Sequence, residues 1–312
     1  VRTAAAHLAA PHVAAGDPAL RERLSERVLA IVATPEAQPG AHAAIVALAR
    51  EALVIELERR FDLDGLLAAI KDGQVGLKQI AGFLLGRREG ALARLGLEGL
   101  LALASHELAA VRAAGHAIVR GAAAQLARDP SPLFVLAESE WDDTRALAAE
   151  LLRALPLAVL GLDGLVGLCD ATDAGVQALG RELVQRHFAE LDPDAVLFRL
   201  AEHPAQHMRS YALELIREHL RPGMVPLSRI EPFMRTTLFD LRPDRRLKVG
   251  LLDFMLARGA MDERQAELVV GILGDVLRTA TVFDFQRIVQ IVTTLQLAYP
   301  SATSDLRLSE PA

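Results

Sequence analysis

The sequence predicts an all-α protein built from stacked antiparallel helix pairs, and three observations carry that expectation. Leu103, Leu136, Leu168 and Leu200 recur at steps of 33, 32 and 32 residues, as do Arg112, Arg145, Gln177 and Arg209. Four segments, 99–123, 132–156, 164–188 and 196–220, therefore align without a gap. Each holds a short apolar stretch, a polar turn and a longer stretch whose apolar residues recur at helical spacing. The chain of 312 residues is also 52% hydrophobic but only 4% aromatic, as expected of helices that pack closely through Ala, Gly, Leu and Val.

The second stretch of each copy is the clearest element. At about 100° per residue, Val111, Ala114, Gly115, Ile118 and Val119 share one face. The same slots hold Thr144, Leu147, Ala148, Leu151 and Leu152, then Val176, Leu179, Gly180, Leu183 and Val184, then Met208, Tyr211, Ala212, Leu215 and Ile216. This is a wide buried stripe, and its third slot is always Gly or Ala, so a neighbouring helix can come close. The first stretch supplies Leu100, Leu103 and Ala104, with Leu133/Leu136/Ala137, Leu165/Leu168/Cys169 and Leu197/Leu200/Ala201 in the later copies. A single helix–turn–helix unit cannot bury its own apolar face, so neighbours must stack.

The pattern continues less regularly at both ends. Residues 1–60 are expected to form irregular N-terminal helices. Val1-Arg2 with Ala4, Ala5, Leu8 and Ala9 reads as a second helix cut at its start, with more of the stack upstream. Residues 19–33 and 41–60 read as a longer pair. The regular repeats span 61–222, with Lys78 in the Arg slot and Leu77, Ile80, Ala81, Leu84 and Leu85 in the core slots. Longer pairs follow over 223–298. Lys248 fills the Arg slot 39 residues after Arg209, with Leu247, Gly250, Leu251, Phe254 and Met255 inward. Then Gln286 takes the slot, with Phe285, Ile288, Val289 and Val292 inward. Residues 299–312 are expected to be a polar tail.

The strings Val111-Arg112, Asp143-Thr144-Arg145, Asp173 with Val176-Gln177, and Met208-Arg209 resemble HEAT repeats. The short unit looks most like the HEAT-like repeats first named for phycobilisome lyases, an armadillo-like family. The resemblance covers roughly 60–298 and is strongest over 99–220. It implies a right-handed superhelix with the second helices on the concave side. The chain departs from the pattern at Gln177, where the Arg is lost, and at Ala110, where an acidic turn residue is usual.

Composition excludes several classes of chemistry. One Cys forms no intramolecular disulfide framework and no four-Cys zinc site. Cys169 sits in a slot that is Ala in the other copies, which points to a buried core thiol rather than a nucleophile. His203 and His207 are four apart, but Pro204 lies between them, so they read as solvated turn residues. His187 and His219 occupy equivalent slots on adjacent helices, and joint ligation would need convergent rotamers. HEAT-like deoxyhypusine hydroxylases hold iron with several His-Glu dipeptides, whereas His106-Glu107 is the only one here. No phosphate loop or serine elbow is present. No cofactor or metal is expected. The longest greasy stretch, 155–169, is interrupted by Pro156, Gly161, Asp163 and Gly164, so no membrane span is expected, and no secretory signal is visible. A cytoplasmic location follows as the expectation.

Opposite the core stripe lies a face expected to be exposed. Its slots hold Arg112, His116 and Arg120, then Arg145, Glu150 and Arg153, then Gln177, Arg181 and Glu182, then Arg209, Glu214 and Arg217. Seven Arg against three Glu on one face contrast with a net charge of −6 for the whole chain. Because Arg forks match carboxylates in pairs, the expectation is a non-enzymatic scaffold that holds a partner protein or acidic peptide, with Phe83 as an apolar contact at one end. The competing reading is internal: Glu150–Arg153 and Glu214–Arg217 pair within their helices, and the Arg slot braces neighbouring repeats. Two alternatives remain, an enzyme or cofactor chaperone of the bilin-lyase type and nucleic-acid binding through the Arg face. HEAT-like alkylpurine glycosylases use basic and aromatic concave side chains, but a single Trp and the acidic total disfavour nucleic acid.

Overall fold

A computed structural model describes residues 2–88, 90–219, 226–239, 245–278 and 285–303. Among these residues the regular structure is entirely helical. The chain divides into two compact units, 1–160 and 161–312.

The first unit holds α1 (Arg2–Ala14), α2 (Pro18–Val32), α3 (Ala43–Ala52), α4 (Val54–Arg60), α5 (Leu63–Asp72) and α6 (Val75–Leu85). It continues with α7 (Ala91–Ala104), α8 (Ala109–Gly121), the short α9 (Ala123–Leu126), α10 (Ser131–Ala137) and α11 (Asp142–Arg153). The boundary between units falls inside α12 (Leu157–Cys169). The second unit continues with α13 (Ala174–His187), α14 (Pro193–Ala201), α15 (Gln206–His219), α16 (Glu231–Phe239), α17 (Arg245–Gly259), α18 (Glu263–Leu277) and α19 (Phe285–Ala298).

Local chemistry explains where several helices begin. Asp17 accepts from the Ala19 amide, ahead of Pro18, which has no amide hydrogen to satisfy. Asp62 accepts from Gly65 at 2.7 Å, Asp173 from Gly175 at 2.9 Å, and Asp262 from Gln265 at 2.9 Å. Each carboxylate satisfies an amide that the first helical turn leaves unpaired. Gly96 and Gly161 bend α7 and α12 through left-handed backbone, with φ of 64° and 66°. The two glycines stand at the same place in their copies, three residues before the aligned segments begin.

Packing follows the periodic pattern. In all four copies the core slots of the second helices are buried, except for Ile118 and Leu151, which are partly covered. The third slot explains itself. A Cβ on Gly115 would lie 2.5 Å from the Ala104 nitrogen, and one on Gly180 would lie 2.5 Å from the Cys169 nitrogen. In these two copies the second helix therefore crosses its own first helix backbone to backbone. Gly82 serves the contact between neighbouring pairs, since its Cβ would sit 2.9 Å from the Val111 Cα. The room it leaves is filled by α8.

The two ends correct three expectations. In α1 the buried residues are Ala6 and Ala10, while Ala4, Ala5 and Leu8 face outward, Leu8 with 76% of its surface exposed. The helix forms as expected but turns a different stripe toward α3, its packing partner. In α19, Ile288 and Val292 are inward as expected, but Phe285 is exposed and Ile291 and Leu295 complete the stripe. The start of the polar tail is tied down: Tyr299 donates to the Ala260 carbonyl at 3.1 Å and Ala302 is fully buried. The rest of that tail, 304–312, lies outside the described residues.

No helix among the described residues is long and apolar enough to cross a membrane.

Candidate functional site

The four repeats share a hydrogen bond that reveals what the Arg slot does. Arg112 Nη1 donates to the His106 carbonyl at 2.9 Å, and Arg145 Nη1 to the Ser139 carbonyl at 2.7 Å. Gln177 Nε2 donates to the Ala171 carbonyl at 2.7 Å, and Arg209 Nη1 to the His203 carbonyl at 2.7 Å. In every copy the side chain reaches back six residues to a turn carbonyl two residues past the end of the first helix. Arg112 and Arg209 also reach the next carbonyl, those of Glu107 at 2.9 Å and Pro204 at 2.6 Å. Gln177 is thus a functional replacement for Arg: a shorter amide makes the same bond without the charge.

The turn itself repeats. His106 Nδ1 accepts from the Leu108 amide at 3.0 Å, and His203 Nδ1 accepts from the Ala205 amide at 3.2 Å. Ser139 Oγ accepts from Trp141 at 3.3 Å in the same slot. These imidazoles therefore carry their proton on Nε2 when neutral. Burial also holds the His106 imidazole below its ordinary range.

The outward face is less exposed than the helical wheel implies. Arg112 and His116 are only 7% and 8% exposed, so both are corrected from surface groups to buried ones. The neighbouring helix α11 covers them. The Arg112 guanidinium lies 4.0 Å over the Trp141 ring, and its Nε donates to Asp143 at 3.1 Å. His116 Nε2 meets Thr144 Oγ1 at 2.9 Å, while that hydroxyl donates to the Ala104 carbonyl at 2.6 Å. The hydroxyl must then accept from the imidazole, which fixes the proton on Nε2. Burial keeps the His116 imidazole below its ordinary range, although the Asp143 charge opposes that shift.

The other expected residues also have partners. Arg120, half-exposed, pairs with Glu150 at 3.2 Å, and Arg145 pairs with Asp142. Arg181 lies 4.8 Å over the Tyr211 ring and meets Glu214 at 3.4 Å. Gln185 donates to Glu218 at 3.3 Å. Glu150 and Glu214 thus reach the preceding second helix, and Glu214 makes no pair with Arg217. Arg153 is exposed. Phe83 is half-buried, with the guanidinium groups of Arg50 and Arg87 at 4.8 Å and 5.8 Å from its ring centre. It is covered by its own chain rather than held open.

Arg217 differs from the rest of the row. It is exposed and forms no ion pair or hydrogen bond with the other described residues. It lines a cleft of about 180 Å³ between α15 and α17, with Arg209, Ser210, Leu213, Glu214, Arg246 and Leu247. Among the described residues three guanidinium groups and one carboxylate line it. Sequence reasoning missed Arg246, which stands two residues before the Arg-slot Lys248 and outside the aligned copies. The longer step to Lys248 was its only signal.

The remaining polar clusters carry less. His203 and His207 are partly buried and face Asp170 at 3.3 Å and 3.5 Å, so they are not simply solvated. The side chain of His219, the other half of the ligation expectation with His187, lies outside the described residues. Among the described residues no group of three or more His, Cys, Asp or Glu could hold a metal ion. Cys169 is fully buried, and burial pushes its thiol up to about 12. Such a thiol is inert at neutral pH.

No family model, curated protein or solved structure matches the chain.

Proposed function

We propose that the chain is a non-enzymatic adaptor of the HEAT-like, armadillo-like class. In this reading its helix pairs form a right-handed superhelix, and the outward row of the second helices holds an acidic segment of a partner protein. The four-fold turn brace supports the repeat class, because the same bond recurs on the same slot through two residue types. The observation that carries the binding reading is the cross-linking of the row. Arg120–Glu150 in the first unit, and Arg181–Glu214 and Gln185–Glu218 in the second, fix side chains between neighbouring second helices. A surface already ordered loses less entropy when a partner docks, and Arg217 remains available on it.

Fluorescence anisotropy with a labelled octaglutamate peptide and a labelled single-stranded oligonucleotide of equal charge tests this function. The expected result is salt-sensitive binding of the peptide in preference to the oligonucleotide. Equal or tighter binding of the oligonucleotide would replace the reading with nucleic-acid recognition.

A further inference from the structure

We infer that the cleft between α15 and α17 seats one carboxylate side chain of an acidic peptide, an inference that rests on the adaptor reading above. The cleft is small. At about 180 Å³ it falls below the roughly 300–1,000 Å³ of sites that enclose cofactors and drug-sized ligands. One side chain fits it, and a nucleotide does not.

The lining sets the charge of that side chain. Among the described residues Arg209, Arg217 and Arg246 line the space, with Glu214 as the only carboxylate. Arg209 already donates through Nη1 to His203 and Pro204, which fixes its position. Glu214 is drawn toward Arg181 on α13, at 3.4 Å, rather than toward Arg217 three residues on. The Arg217 fork therefore lacks an internal acceptor among the described residues. A carboxylate from outside supplies one, in the bidentate geometry that a guanidinium favours. Glu214 only partly neutralises the seat. It leaves the described lining two positive charges in excess, which draws a carboxylate in. Leu213 gives the floor an apolar part that suits the methylene stem of Glu.

The unequal step of the repeat explains why the cleft is here. Arg145 follows Arg112 by 33 residues, whereas Lys248 follows Arg209 by 39. In the shorter step, Trp141, just before α11, and Asp143 within it close over Arg112. In the longer step, α17 brings Arg246 beside α15, and a cation holds the slot that Asp143 holds two residues before Arg145.

The test measures octaglutamate affinity for the wild type and for Arg217→Glu, Arg246→Glu and Arg128→Glu, the last an exposed arginine remote from the cleft in sequence. Far-UV circular dichroism establishes that each variant is folded. The inference expects each cleft variant to bind at least about tenfold more weakly, with Arg128→Glu close to wild type. Equal losses in all three variants would reduce the effect to net charge and overturn the seat. No loss in either cleft variant, with wild-type binding intact, would overturn the seat and leave the adaptor reading standing. A wild type without affinity for the peptide overturns both.

Discussion

Arg112 in the first unit and Arg209 in the second occupy the same slot of the same repeat and make the same pair of bonds to the turn behind them. Their surroundings differ. Arg112 is sealed under Trp141 and tied to Asp143, whereas Arg209 is partly exposed and lines a cleft. A repeat slot therefore specifies a bond and not an environment. The neighbouring helix decides whether the rest of the side chain is core or surface, and function can develop only where that neighbour withdraws.

The strongest way to break this comparison is to remove both arginines separately. Arg112→Met should lower stability by about 2–3 kcal/mol, because a buried side chain loses its bonds to two carbonyls and to Asp143 together. Arg209→Met should cost about 1 kcal/mol, since water can reach the groups it leaves. Urea unfolding of the two variants measures the difference, and equal losses would contradict the contrast in burial.

A smaller effect separates the regions by pH. Burial depresses the His116 imidazole from its ordinary 6.5, so the folded state binds its proton less readily than the unfolded chain. The associated stability is complete above about pH 6.5 and is lost as pH falls through the depressed value. Thermal unfolding between pH 7.5 and 5 should show a falling midpoint. His116→Gln, which cannot titrate, should show a shallower fall, and identical slopes would remove His116 from the account.

The smallest effect sharpens the shared part of the comparison. Gln177→Leu should cost about 1 kcal/mol through loss of the bond to the Ala171 carbonyl, while Gln177→Arg should remain within about 0.5 kcal/mol of wild type. Urea midpoints distinguish them. A neutral Gln177→Leu would show that the brace contributes nothing in this copy.

How legible was the molecule in its sequence? The core stripes were, because burial of a helical face needs only a period, and the slots from Val111 to Ile216 obey it. Cys169 was legible from its Ala counterparts. The face opposite was legible only in part. A helical wheel treats one helix at a time, so it places Arg112 and His116 outward without the helix that covers them. It also cannot distinguish Ala4 and Leu8 from Ala6 and Ala10 in α1, whose small residues would fit either stripe. The turn brace was hidden for another reason. It depends on side-chain reach to a backbone acceptor, and Arg and Gln look unlike until that acceptor is known. Arg246 stayed outside the pattern because the repeat lengthens just before it.

Gly96 and Gly161 have a consequence of another kind. A Cβ at either position would meet nothing within 4 Å, so crowding does not require a glycine there. The backbone hand does: positive φ with extended ψ, here 64°/−174° and 66°/161°, costs an L side chain about 1–3 kcal/mol. A mirror-image alanine would adopt the same dihedral angles without strain. Part of the information that sets where these two helices bend is therefore stereochemical, carried by the one residue that has no chirality.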